Sequence, residues 1–242
     1  NTPLNIELAE KARLNFSNNG QINWNEIYTQ NIENAKKFGG ETLTIMYEDR
    51  TDDKQLSANT NFSTQLNNNI SLDAGINYRS LKSENFQNVL DLLGGEFYSD
   101  LDPFLSGDGQ QSNLDNPNNK VKEGDRFGYN YILTADVVEA FGQLKFNYSD
   151  LDYYLGLGGT YTAYQREGLF RNGNYADNSK GKSEKVTFEN YGFKGGLTYR
   201  ITGKHILNAN AAYMTKAPTL RNTFPNARMN NTVTSDLQSE TI

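Results

Sequence analysis

The sequence predicts an all-β fold, an antiparallel transmembrane β-barrel drawn as a meander of long strands, and three observations carry that expectation. Apolar residues recur at every second position over long runs, the period of a strand with one apolar and one polar face. Tight polar turns join these runs in pairs, whereas the connections at their other ends are long and rich in Asp, Asn, Gly and Ser. The mid-strand charges Asp73, Lys145 and Lys194 all fall in polar rows, and none interrupts an apolar one.

Bulk composition at first points elsewhere. The 242 residues are 36% hydrophobic with a mean hydropathy of -0.74, values that resemble a soluble protein, and no run approaches the roughly 18 apolar residues of a membrane-spanning helix. A wide barrel removes the conflict, because the average mixes lipid-facing rows with lumen-facing rows and wet loops. The absence of cysteine excludes disulfide frameworks and thiolate chemistry, and a single histidine, His205, leaves no His-rich zinc cluster. A net charge of -6 lacks the basic stripe that a nucleic-acid binder needs. No cofactor motif is present. Leu155-Gly156-Leu157-Gly158-Gly159 superficially resembles a phosphate loop, but Tyr161 stands where a third glycine belongs and no helix follows. These glycines read as small lumen-facing residues that leave room for a plug or solute.

Residues 1–40 read as an extracellular loop region. Leu4 to Phe16 is mixed, and Trp24, Ile27, Tyr28 and Ile32 are spaced for one face of a short helix that ends before Gly39-Gly40. Residues 41–242 read as one domain of barrel strands and extracellular loops. A strand at Leu43, Ile45 and Tyr47 is expected to turn around Arg50 to Asp53. The first hairpin places Leu56, Ala58, Thr60, Phe62, Thr64 and Leu66 on one face, turns at Asn67-Asn68-Asn69, and resumes with Ile70, Leu72, Ala74, Ile76 and Tyr78. A second pairs Ala140–Tyr148 with Tyr153–Ala163, and a third pairs Tyr191–Tyr199 with Leu207–Tyr213 across Thr202-Gly203-Lys204. Long polar connections run from Arg79 to Phe127, Glu167 to Glu184 and Pro218 to Val233.

Phe127 to Tyr148 changes phase. Its apolar residues are odd-numbered from Phe127 to Val137 and even-numbered from Ala140. A β-bulge at Val138-Glu139 would keep one apolar face and one very long strand, with every short turn on one rim and every long loop on the other.

An apolar sheet face meets either another sheet or lipid. Three features favour lipid: a mid-strand polar face full of Asn, Ser, Thr, Gln and Gly, tyrosines (Tyr148, Tyr153, Tyr199) closing the apolar rows near the tight turns, and the asymmetry of the two rims. A soluble all-β adhesin or carbohydrate-binding module is the alternative, as is a small stand-alone eight-stranded outer-membrane barrel.

Tyr47–Gln55, Phe127–Tyr131 and above all Tyr213–Arg228, with Ala217-Pro218 at a strand end, resemble the barrel portion of TonB-dependent outer-membrane receptors of the Bacteroidetes type, over about Trp24 to Ile242. The resemblance implies a 22-stranded barrel in the bacterial outer membrane, closed by an N-terminal plug and driven through TonB. It also implies uptake of a scarce solute (siderophore, oligosaccharide or peptide), contact with outer-membrane lipid, a surface lipoprotein as a partner, and no enzymatic activity. About eight strands are countable and no plug-like segment is recognisable, so the chain is expected to be an incomplete segment of that barrel.

The candidate solute contacts are aromatics and arginines near the long-loop rim: Tyr164, Arg166, Phe170, Arg171, Arg221 and Arg228. Ring faces and guanidinium forks hold sugars, peptides or anionic chelates. The acidic loop containing Asp91, Glu96, Asp100, Asp102, Asp108 and Asp115 offers hard oxygens for Ca²⁺, foremost Asp100, Asp102 and Asp108, without EF-hand spacing. His205 is expected at the membrane interface.

Overall fold

A computed structural model describes residues 3–242. Two helices open it, α1 (Pro3–Asn19) and α2 (Trp24–Lys37). The strands follow: β1 (Met46–Asn67), β2 (Ile70–Asp91), the short β3 (Tyr98–Ser99) and β4 (Lys120–Val121), β5 (Arg126–Asn147), β6 (Leu151–Gly168), the short β7 (Gly181–Lys182), β8 (Val186–Thr202), β9 (His205–Lys216) and β10 (Glu240–Thr241). The main sheet is an open meander in the order β1-β2-β5-β6-β8-β9-β10, with β7 paired on β6. The ladders between the long strands from β2 to β9 are antiparallel.

The tight turns are closed by their own side chains. Asn67 Oδ1 accepts the backbone N–H of both Asn69 and Ile70 at 2.9 Å, and Thr202 Oγ1 accepts those of Lys204 and His205. His205 sits in this turn, its Nδ1 2.9 Å from Thr202 Oγ1.

Register turns the alternation of single strands into rows across the sheet. One face carries Ala74–Gly142–Leu157–Phe193–Tyr213, then Leu72–Leu144–Leu155–Gly195–Ala211, then Ile70–Phe146–Tyr153–Leu197–Ala209. Leu155, Leu157 and Phe193 are 60%, 64% and 57% exposed. Apolar area this extensive is unfavourable in water and favourable against hydrocarbon, so this is the outer face. Along β8 the band runs from Tyr191 to Ile201, which is roughly 33 Å at about 3.3 Å per residue; a strand tilted by about 40° then covers roughly 25 Å of membrane. Tyrosines close it at both ends. Tyr153 stacks on Phe146 at 4.4 Å near the tight turns, and Tyr191 packs against Phe193 and Tyr213 at the other end.

The inner face is polar and internally paired at the same level. Asp73 bonds Lys145 at 2.6 Å and accepts from Ser63 Oγ, and Asn77 donates to Glu139. The glycine run divides between the faces: Gly156 and Gly158 point inward, while Leu155, Leu157 and Gly159 point outward. The inward glycines do not leave empty room. A Cβ on Gly156 would lie 2.9 Å from Lys194 Cε, and one on Gly75, in the same row as Gly158, 2.6 Å from the Phe141 ring. These glycines let neighbouring side chains lie flat on the wall.

Several expected boundaries are corrected. Both ladders of β5 run through Val138 and Glu139 without a register shift, so there is no bulge there. The shift lies between Phe86 and Gln87, opposite Gly128, whose φ of +66° and close approach to Gln87 suit glycine. The odd residues Val137, Ala135, Tyr131 and Tyr129 are buried on the inner side, and on the outer side Ser80 donates to Asp136. The strand has left the bilayer. Likewise β1 continues through Arg50 to Asp53 without a turn, and β2 runs twelve residues past Arg79. Charge on both faces marks a strand standing in water as readily as it marks a turn. Leu43 and Ile45 precede β1 and belong to the helical unit.

That unit comprises the segment ending at Tyr47 with Val89–Ser99 and Lys120–Asp125. Helix α2 begins at Asn23, whose side chain accepts from the Glu26 N–H, and ends at Phe38 ahead of Gly39 and Gly40, both at positive φ. Asn31 is fully buried: its Nδ2 donates to the carbonyls of Thr44, Leu92 and Leu93, and its Oδ1 accepts from the N–H of Leu43 and Thr44. Val89, Leu92, Leu93, Phe97 and Val121 form the small core around it. No helix among the described residues is long and apolar enough to cross a membrane, which says nothing of strands.

Candidate solute-binding wall

Above the apolar band, the inner face of the sheet is built by β1, β2, β5, β6 and β8. Arg166, opposite Leu133 on β5, is 2% exposed. Its Nε donates to the Ala227 carbonyl at 2.6 Å and its Nη1 to the Ser179 carbonyl and Asn231 Oδ1, while the guanidinium lies 5.3 Å from the Tyr131 ring. Burial without a carboxylate partner pulls its pKa down to about 10, so it remains a cation at neutral pH. Its Nε and Nη1 donors are spent on protein acceptors. Arg166 therefore pins both the segment after β6 and the segment after β9 to the wall.

The segment after β9 starts with α3 (Leu220–Thr223), capped by Thr219, buries Phe224, and lies on the inner face. Three residues past Phe224 comes the stretch Ala227 to Asn231 that Arg166 holds. Arg228 reaches further. Its guanidinium covers the Tyr129 ring at 4.8 Å and stands 3.8 Å from Asp49 Oδ2 of β1. Tyr129 is packed at 5.7 Å against Tyr131 and donates its hydroxyl to Asp49 Oδ1 at 2.9 Å. Burial first, and the Asp49 bond second, push the Tyr129 phenol up to about 12, which keeps it a donor.

The remaining candidates are dispersed. Tyr164 is half-buried on the same wall, edge-on to Phe188 at 6.0 Å. Phe170 is half-buried just beyond β6, and Arg221 is exposed on α3. Arg171 bonds Asp115 at 3.0 Å, and Lys180 holds the other oxygen of that carboxylate at 2.5 Å, so this trio ties two loops together. Sequence reading missed Tyr129, Tyr131, Phe188 and Asp49. The odd-numbered run Phe127 to Val137 held the signal, but the supposed bulge turned it toward lipid.

The acidic candidates for Ca²⁺, Asp100, Asp102 and Asp108, are not gathered into one cluster. Among the described residues no three His, Cys, Asp or Glu side chains are grouped to hold a metal ion. Three of the carboxylates accept backbone N–H groups instead: Asp102 that of Phe104, Asp91 that of Leu93, and buried Asp100 that of Gly128 in β5. Asp108 lies in a single 3₁₀ turn, Gly107–Gln110, that is part of the same connection.

An open antiparallel meander with an outer apolar band, aromatic borders, short turns on one rim and long inward-folded loops on the other is a section of an outer-membrane β-barrel wall. Residues 4–242 match the family model described as TonB dependent receptor-like, beta-barrel. The chain belongs to this family of outer-membrane proteins, which act in TonB-dependent transport. No curated protein and no solved structure matches it. The short turns are accordingly periplasmic, the long loops extracellular, and the inner face lumenal.

Proposed function

We propose that this wall forms part of the mouth of a receptor that captures a scarce solute, a siderophore, oligosaccharide or peptide, and passes it into the barrel for TonB-driven uptake. The observation that supports this is the extracellular segment after β9, folded onto the lumenal wall where it presents Arg228 beside Tyr129, Tyr131 and Asp49. The buried, packed rings give Arg228 a firm backing, and its exposed guanidinium supplies orientation to a solute. Tyr164, Phe170, Arg171 and Arg221 would act as flanking contacts, and Arg166 as the residue that positions the loop. The test is accumulation of labelled candidate solutes in cells carrying the full-length receptor, with and without functional TonB. Uptake that needs both supports the reading; a receptor deletion that leaves every solute unaffected contradicts it.

A surface lipoprotein partner would have an apolar foothold at Phe104, 93% exposed in the connection between β3 and β4. Crosslinking from position 104 to a lipoprotein in intact cells is the expected outcome, and its absence removes this part of the proposal.

A further inference from the structure

The two arginines that hold the segment after β9 differ in what their guanidinium groups have left to offer. Arg166 is buried, and its Nε and Nη1 donors end on Ala227, Ser179 and Asn231. Arg228 is 59% exposed and, among the described residues, donates no hydrogen bond; the nearest carboxylate oxygen, on Asp49, stands at 3.8 Å. That distance is beyond a hydrogen bond, so the contact is a Coulombic one through a partly wet gap. Asp49 is meanwhile served by the Tyr129 hydroxyl at 2.9 Å. Arg228 also stands over the Tyr129 ring, 4.8 Å from its centroid, which tethers the guanidinium beside Asp49. An exposed guanidinium with unused N–H groups is suited to bidentate recognition of a carboxylate or phosphate.

We propose that Arg228 is an anion-reading residue of the receptor mouth, that the solute carries a carboxylate or phosphate group, and that Asp49 is the resident competitor which that group displaces. This rests on the solute-capture reading above and narrows it to anionic solutes. Asp49 holds Arg228 loosely enough to be exchanged and keeps the cation from being left without a counter-charge when the mouth is empty. Tyr129, its hydroxyl already on Asp49, retains that carboxylate when Arg228 turns to the solute.

The test uses the full-length receptor in detergent and citrate as the probe, with saturation-transfer NMR reporting binding at low ionic strength. The wild type is expected to bind citrate and to lose it as salt is raised. Arg228→Ala is expected to weaken binding at least tenfold, Arg228→Lys less so. Asp49→Asn is expected to tighten it several-fold, because the competitor has lost its charge. Heat-modifiable migration of each variant checks that the barrel is intact. No citrate signal in the wild type, equal binding by Arg228→Ala, or weaker binding by a folded Asp49→Asn overturns the proposal. None of these outcomes touches TonB-dependent uptake of a neutral solute, so the broader reading stands or falls separately.

Discussion

The lower and upper halves of β5 belong to one strand, in register with β6 from Tyr131 to Asn147, immersed in two different media. Below Val138 the even residues Ala140, Gly142, Leu144 and Phe146 form the apolar set and face outward. Above it the odd residues Val137, Ala135, Tyr131 and Tyr129 do so, and they are buried inward. The backbone does not slip between them. The surroundings change: hydrocarbon favours apolar rows on the outside, whereas water favours a core enclosed between wall and loops. The phase of an alternating pattern thus reports the medium on each side as well as the geometry of the strand.

The largest expected effect breaks or upholds this contrast directly. Leu157→Arg, in the middle of the outer band, should destabilise the full-length barrel by about 2–4 kcal/mol in lipid vesicles. Thr160→Arg, on the lumenal face of the same strand, should cost no more than about 0.5 kcal/mol, as an ordinary wet position does. Denaturant unfolding measures both, and equal costs would mean that the outer face is not in lipid.

A smaller effect belongs to the upper half. Arg166→Met keeps bulk but leaves the Ala227 and Ser179 carbonyls without their donor, and should lower the local opening free energy by about 2 kcal/mol. Hydrogen exchange should quicken in residues 169–185 and 217–231 while Tyr191 to Ile201 keep their protection. Uniform loss of protection would show that the two halves do not unfold separately.

Much of the lower half was legible in sequence because lipid enforces strict alternation: the hairpin turns at Asn67–Asn69 and Thr202–Lys204 and the closing tyrosines were all readable. The upper half was less so. Charges at Arg50 to Asp53 looked like a turn, and the part of β2 past Arg79 was taken into the long connection from Arg79 to Phe127, because a strand in water with loops on one side has no simple periodicity. The buried contacts of Arg166 were beyond reach, since its partners Ala227, Ser179 and Asn231 are brought together only by two long connections. Of the six candidate contacts, the two that meet the lumenal loop, Arg166 and Arg228, play opposite parts, one enclosed and one open, which spacing alone does not distinguish.

The smallest effect concerns Asp100, buried in the extracellular connection, where burial raises its pKa against the lowering influence of Ser112 and the Gly128 N–H. A carboxyl with a raised folded pKa contributes stability fully below its unfolded pKa and loses it as pH rises through the folded value. Asp100→Asn, which cannot ionise but still accepts from Gly128, should therefore melt higher than wild type at pH 7 and alike near pH 3.5. A difference that does not change with pH would assign the effect to packing instead.

The central claim is that β5 crosses from membrane to water at Val137–Val138 with no change of register. The chain contains no cysteine, so single cysteines along Leu133 to Phe146 can be spin-labelled in the full-length receptor, provided the rest of the receptor is likewise free of them, and reconstituted in vesicles. The expected result is high oxygen accessibility at Ala140, Gly142, Leu144 and Phe146, with Ala135 and Val137 shielded from lipid and Thr134 and Asp136 open to a water-soluble relaxant. Oxygen accessibility at Ala135 and Val137 equal to that at Leu144 would contradict it, because those residues would then share one lipid-facing row across a bulge.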